Sequence, residues 1–208
     1  MYQQIETYMQ TCMEDTAHDR EHIYRVLYTA LDIAETYRNV DYDILIAACL
    51  LHDIGRKAQF DNPSLCHAEV GGNMAYDFLL QLGWAAHDAE AVRDCIKSHR
   101  FRSTAPPQSL EAKILFDSDK LEATGGLGIA RTLIYKGIVG EPLYTMNGTK
   151  VCAGNSSDPE SFFKEYNIKL KKLYTNFYTE RGQELAQLRQ QAATGFFAAL
   201  AEEIESAY

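Results

Sequence analysis

The chain has no CxxC pair among its five cysteines (Cys12, Cys49, Cys66, Cys95 and Cys152). So odd and scattered a set argues against a disulfide framework or a cysteine-built zinc site, and for a reducing cytosol. Long apolar runs are missing too: the most hydrophobic stretch, around residues 44–51, is far too short to span a bilayer. The opening Met1-Tyr2-Gln3-Gln4-Ile5-Glu6 has neither the basic region nor the apolar core of a signal peptide. Basic residues are in deficit, 20 Lys and Arg against 29 Asp and Glu, for a net charge of −9. That excludes a surface dedicated to a nucleic-acid polymer or an anionic membrane, but not a small anionic substrate held locally by a metal and a few basic side chains. Neither a Gly-x-Ser-x-Gly elbow nor an HExxH pair occurs. Gly125-Gly126-Leu127-Gly128 has no strand before it and no Gly-Lys-Ser/Thr after it, so it reads as a tight turn into a helix and not as a phosphate loop. A cytoplasmic protein is expected.

What is present is helical. Apolar content of 46% and charged content of 24% are ordinary for a globular protein, and no convincing alternating strand is found. Residues 19–38 place Ile23, Val26, Leu27, Ala30, Leu31 and Ala34 on one stripe, with charge opposite. Residues 41–54 are apolar almost all round, which marks a central buried helix, and Gly55 sits where a left-handed cap would end it. Further helical stretches fall at 66–82, ended by Gly83, then at 87–98, 109–122, 125–134, 159–178 and 182–206. The expectation is an all-α single domain, residues 1–208, of about eight to ten helices. In it 137–160, rich in glycine, proline and asparagine, is a long loop or lid, and 182–206 is a C-terminal helix.

Chemistry enters where the central helix ends. Ile44 to Leu51 runs straight into His52-Asp53. A histidine and a carboxylate are costly to bury behind so apolar a segment unless a cation shares the site. His52 follows Ala48 by four and Ile44 by eight, which keeps it on the buried stripe. His22 lies one turn before Val26, His67 three before Val70, and His99 three after Ile96. Asp119 follows Leu115 by four, while Asp117, three after Ile114, fits the pattern almost as well. Taken alone, His67 reads more readily as a satisfied core or capping residue, and His99 reads equally well either way. Taken together, five helices each bring a titratable group to the end of an apolar stripe, as helical bundles do when they build metal centres. Imidazole and carboxylate donors suit manganese, iron, cobalt, nickel or zinc better than calcium, and magnesium completes the candidate set; one ion or two are both open. His18 and His87 look like solvated first-turn residues, although His18-Asp19 lies one turn ahead of His22 and could line the same pocket.

The combination resembles the HD superfamily of metal-dependent phosphohydrolases, whose signature is a histidine, a histidine-aspartate pair and a distant aspartate. The segments His18-Asp19-x-x-His22-Ile23-Tyr24-Arg25-Val26, Leu51-His52-Asp53-Ile54-Gly55, Asp117-Ser118-Asp119-Lys120-Leu121-Glu122-Ala123 and Gly128-Ile129-Ala130-Arg131-Thr132 are similar to a bacterial single-domain subgroup closed by a long C-terminal helix. The resemblance implies an HD-domain helical bundle, and it implies His22, His52, Asp53 and Asp119, in preference to Asp117, as ligands of the principal metal. It further implies His67 and His99 at a second metal or at substrate phosphate, and hydrolysis of a phosphoester or phosphoanhydride bond, often in a nucleotide. Asp53, His18, Asp19 and Arg56 are then the candidates for catalytic roles, with the general acid unassigned. Arg25, Lys57, Lys120 and Arg131, together with Arg56, are candidates to grip phosphate oxygens. Rival readings are a two-iron oxygenase and a nucleotide-sensing module without catalysis. Whether the chain acts alone or as a homodimer is open.

Overall fold

The computed structural model describes residues 1–13, 20–100 and 106–208; His18 and Asp19 lie outside the described residues. Among the described residues there are ten α-helices, a three-residue 3-10 turn and one two-stranded antiparallel hairpin, so the architecture is the all-α bundle expected. The first helices are α1 (Tyr2–Cys12), α2 (Arg20–Ala34), α3 (Tyr42–Leu51), α4 (Arg56–Asp61), α5 (His67–Gln81) and α6 (Ala86–Ser98). They are followed by α7 (Leu110–Leu121), α8 (Gly125–Ile138), α9 (Phe162–Ile168) and α10 (Glu180–Glu205). The described chain divides into two compact units, Met1–Asp119 and Lys120–Tyr208.

In the first unit the apolar stripes do the packing. Ile23, Val26, Ala30 and Ile33 of α2 are fully buried, and each larger side chain so removed from water stabilises the fold by about 1.5–3 kcal/mol. Helix α3 starts where the Asp41 carboxylate accepts the amides of Asp43 and Ile44, both at 3.1 Å. The Asp41 amide in turn donates to Glu111 of α7 at 2.9 Å, which ties that cap to the helix carrying Asp119. With Leu45, Ala47, Ala48, Cys49, Leu50 and Leu51 all buried, α3 is the central helix. Helices α5 and α6 form a hairpin turned by Gly83, whose φ of +88° permits a Schellman ending. Its amide reaches the Leu80 carbonyl, and that of Trp84 reaches Leu79, each at 3.0 Å.

The end of α3 differs from the expectation. The helix stops at Leu51, and His52-Asp53 occupy the turn that follows. Gly55 is not a left-handed cap: its φ is −83°, and it precedes α4, a short helix the sequence pattern does not reveal. Space is what it supplies. A Cβ on Gly55 would lie 2.2 Å from the His67 carbonyl oxygen and 2.6 Å from the Gly71 amide nitrogen. The histidine-aspartate turn and the first turn of α5 therefore meet backbone to backbone, and this contact sets His67 beside Asp53.

In the second unit α8 packs on α10, and Phe197 of α10 stacks on Tyr166 of α9 at 3.8 Å between centroids. The Thr179 hydroxyl caps α10 by accepting the Gly182 amide at 3.1 Å. The segment 137–160 is not loop throughout. Its first two residues end α8, and Met146–Asn147 pairs with Lys150–Val151. Gly148 stands first in the two-residue turn with a φ of +62°, the position where a tight hairpin demands glycine.

The Gly55 contact sets a stability test. Gly55→Ala should lower unfolding stability by about 1–3 kcal/mol through overpacking against backbone that cannot yield, measured by urea denaturation, whereas Gly126→Ala, which meets open space, should not.

Candidate metal centre

Six donors expected to meet do so, all within the first unit. His22 comes from α2, His52 and Asp53 from the turn after α3, His67 from the first position of α5, His99 from the residue after α6, and Asp119 from α7. They form two triads of candidate ligands, His22–His52–Asp119 and Asp53–His67–His99. All are buried except Asp119, which is partly open.

Asp53 joins the triads. Its Oδ2 lies 3.6 Å from His22 Nε2 and 3.7 Å from His52 Nε2, and its Oδ1 lies 3.5 Å from His67 Nε2 and 3.7 Å from His99 Nε2. Asp119 Oδ1 completes the first group at 3.3 Å from His22 Nε2 and 3.9 Å from His52 Nε2. Donors held ~2.1 Å from a common ion stand roughly 3.0–3.4 Å apart, so these separations are those of ligand shells slightly expanded.

The ring tautomers make the stronger case. His52 Nδ1–H donates to the Cys49 carbonyl at 2.8 Å, and His99 Nδ1–H to the Ile96 carbonyl at 2.5 Å. Both use the same local device, in which a histidine just past a helix end caps a carbonyl of the last turn three residues back. His67 Nδ1 faces Gln59 Oε1 at 2.7 Å. With Nδ1 committed to these oxygens, it is Nε2 that each ring turns toward the centre. Burial pushes His52 down to about 4. Burial first and the Arg56 charge second push His67 down to about 3, so both rings are neutral at pH 7. The Nε2 atoms of His67 and His99 stand 3.4 Å apart, close enough for one cation to be held by both. Burial works against ionisation of Asp53, yet His52 and Arg56 hold its carboxyl well below the usual range. Asp119, opposed by burial likewise, is held low chiefly by His22. Four imidazoles and two carboxylates thus fit one divalent cation or a pair sharing Asp53.

The basic residues divide. Arg56 Nε donates to Asp53 Oδ1 at 2.9 Å, placing a guanidinium at the second triad. Arg25, one turn after His22, is half-buried. Lys57 pairs with Asp61 on an exposed stretch at 3.1 Å, and Arg131 pairs with the buried Glu122 at 3.0 Å. Lys120 takes a part other than the one expected. Its buried ammonium donates to the carbonyls of Thr175 and Asn176, at 2.5 and 3.1 Å, and lies over the Phe177 ring. It braces a turn in which Asn176 adopts a φ of +63°. Sequence pattern missed Gln59, which orients His67, and Arg100, whose Nη1 donates to Cys66 Sγ at 3.2 Å. Neither stands on an apolar stripe, so no periodicity could have marked it.

The HD domain family model matches residues 20–124, from the start of α2 to just beyond α7. The Bacillus subtilis (strain 168) protein YpgQ is 30% identical over 97% of this chain and 93% of its own. The crystal structure of YpgQ in complex with ADP superimposes with a TM-score of 0.76 at 29% identity, covering 98% of both chains. That of an HD-superfamily hydrolase from Bacillus thuringiensis gives 0.75 at 25% identity over 97% and 95%. A partial relative, the 3'-5' exoribonuclease YhaM of Bacillus velezensis, is 33% identical over 49% of this chain but only 37% of its own length. The chain belongs to the HD superfamily of metal-dependent hydrolases.

Proposed function

We propose that the chain hydrolyses a phosphoester or phosphoanhydride bond of a nucleotide. His22, His52, Asp53 and Asp119 would hold the principal cation and His67 and His99, with Asp53, a second. The observation that carries this reading is the Asp53 carboxylate, whose two oxygens face different histidine pairs, every ring turning a bare nitrogen inward wherever its tautomer is defined. A divalent cation, when bound, supplies Lewis-acid polarisation of a phosphoryl oxygen and makes water a nucleophile near neutral pH. The chain's own residues do the rest. The imidazoles of His52 and His67 stay neutral and therefore available as donors, and the two carboxylates offset part of the cation's charge. Arg56 orients Asp53 and adds a positive charge where phosphate oxygens would gather. The nucleotide preference draws support from YpgQ, a relative over nearly the whole chain that has been crystallised with ADP. The net charge of −9 favours a small nucleotide over a polymer.

Two measurements test this reading. Phosphate release from a panel of nucleoside mono-, di- and triphosphates, supplemented in turn with manganese, iron, cobalt, nickel and magnesium, should show turnover with at least one metal. Asp53→Ala should cut that turnover by more than about 100-fold, the upper range for losing even an outer-shell partner. No turnover in any arm overturns the proposal, and oxygen uptake by an iron-loaded protein in its place would favour a two-iron oxygenase.

The second measurement is pH dependence. Unfolded histidine takes up a proton near pH ~6.5, whereas folded His52 and His67 do so only near 4 and 3. Between these values the unfolded state binds more protons, so stability falls as pH falls. The chelator-treated protein should show a lower urea midpoint at pH 5 than at pH 7; equal midpoints would mean that the rings are not neutral in the folded chain.

A further inference from the structure

The two triads differ in the charge around them. Asp119 adds a carboxylate at the His22–His52 end. At the His67–His99 end stand two guanidinium groups on different elements. Arg56 opens α4 and is bonded to Asp53 Oδ1 at 2.9 Å. Arg100 follows His99 in the chain and is bonded at 3.2 Å to Cys66, the residue before His67. Each is half-buried and tethered at one donor. A guanidinium carries five N–H groups, and the remaining ones on both arginines have no protein acceptor among the described residues.

A charge sum gives the pair its meaning. Asp53 and Asp119 contribute two negative charges and Arg56 and Arg100 two positive ones, and imidazoles that ligate a cation contribute none. Every divalent cation that binds therefore leaves the centre with a surplus of positive charge, concentrated at the His67–His99 end. A phosphate chain is the anion that answers it, and arginine binds phosphate with two parallel hydrogen bonds where lysine offers a single point charge. Resting on the nucleotide reading above, we propose that Arg56 and Arg100 form a phosphate seat at the His67–His99 end, which directs the phosphate chain of the nucleotide toward α4 and the start of α5 and selects nucleoside di- and triphosphates over monophosphates. Arg100 is the new element. Arg56 is fastened to a ligand, whereas Arg100, among the described residues, is held only by a thiol and can be exchanged without loosening a donor.

The test is calorimetric titration of the manganese-loaded protein with α,β-methylene-ADP and with AMP, neither requiring turnover. Wild type should bind the diphosphate analogue more tightly. Arg100→Gln should weaken that affinity roughly ten- to hundredfold, the worth of one charge-assisted hydrogen bond, while AMP affinity, manganese content and melting temperature stay as in wild type. Arg100→Lys should restore part of the loss. Equal affinities of wild type for the two ligands, no binding of either, or an Arg100→Gln affinity within about twofold of wild type, less than 0.5 kcal/mol, would overturn the seat. The outcomes separate the two proposals: Arg100-dependent binding without hydrolysis of any nucleotide leaves the seat standing and removes the hydrolase, and hydrolysis with Arg100-independent binding does the reverse.

Discussion

A single carboxylate with nowhere to turn organises this molecule. Asp53 is 2% exposed, and its two oxygens face opposite ways, toward His22 and His52 on one side and His67 and His99 on the other. An ionised group so buried is tolerated only when charges or donors surround it. The fold brings them from four directions: α2, the end of α3, the start of α5 and the end of α6. Remove that demand and there is little reason for an apolar helix to finish in His52-Asp53, or for Gly55 and Gly71 to give up side chains so that two backbones can touch.

The remaining architecture keeps the surroundings dry and the pieces in register. Helix α3 is sheathed in apolar neighbours, and its first turn is fixed by Asp41, which is itself tied to Glu111 on the helix that delivers Asp119. The far end of α7 belongs to different business, since Lys120 turns to brace carbonyls of the second unit. Neighbouring residues on one helix thus face a candidate metal centre and brace a turn, a division that a stripe of alternating burial cannot announce.

Much of this was legible in the sequence, for a physical reason. His22 and Asp119 stand on apolar stripes, and His52, Asp53, His67 and His99 stand at or just past the ends of helices that carry such stripes, so periodicity predicts both the helices and the side on which these residues meet. Where the reading went astray, the governing contact was non-local or nearly so. Gly55 looked like a left-handed cap, but its use is the close approach of α5, which only tertiary packing discloses. Lys120 reads as a candidate to grip phosphate oxygens because its carbonyl partners lie more than fifty residues away. Helix α1 passed unnoticed because only Ile5 and Met9 are buried on it. Helix α4 has no buried residue at all. The hairpin at 146–151 was hidden by its brevity, although Asn147-Gly148 is a strong local turn signal.

The capping histidines carry one more implication. His52 and His99 owe their tautomers to carbonyls of the last turns of α3 and α6, the stretches of a helix most prone to open locally while the rest of a domain stays folded. When such a turn frays, its carbonyl passes to water and the proton on the ring is no longer held at Nδ1. Donor readiness is thereby tied to the opening of two helix termini, and an ion seated at either ring would act in return as a clasp on the turn behind it.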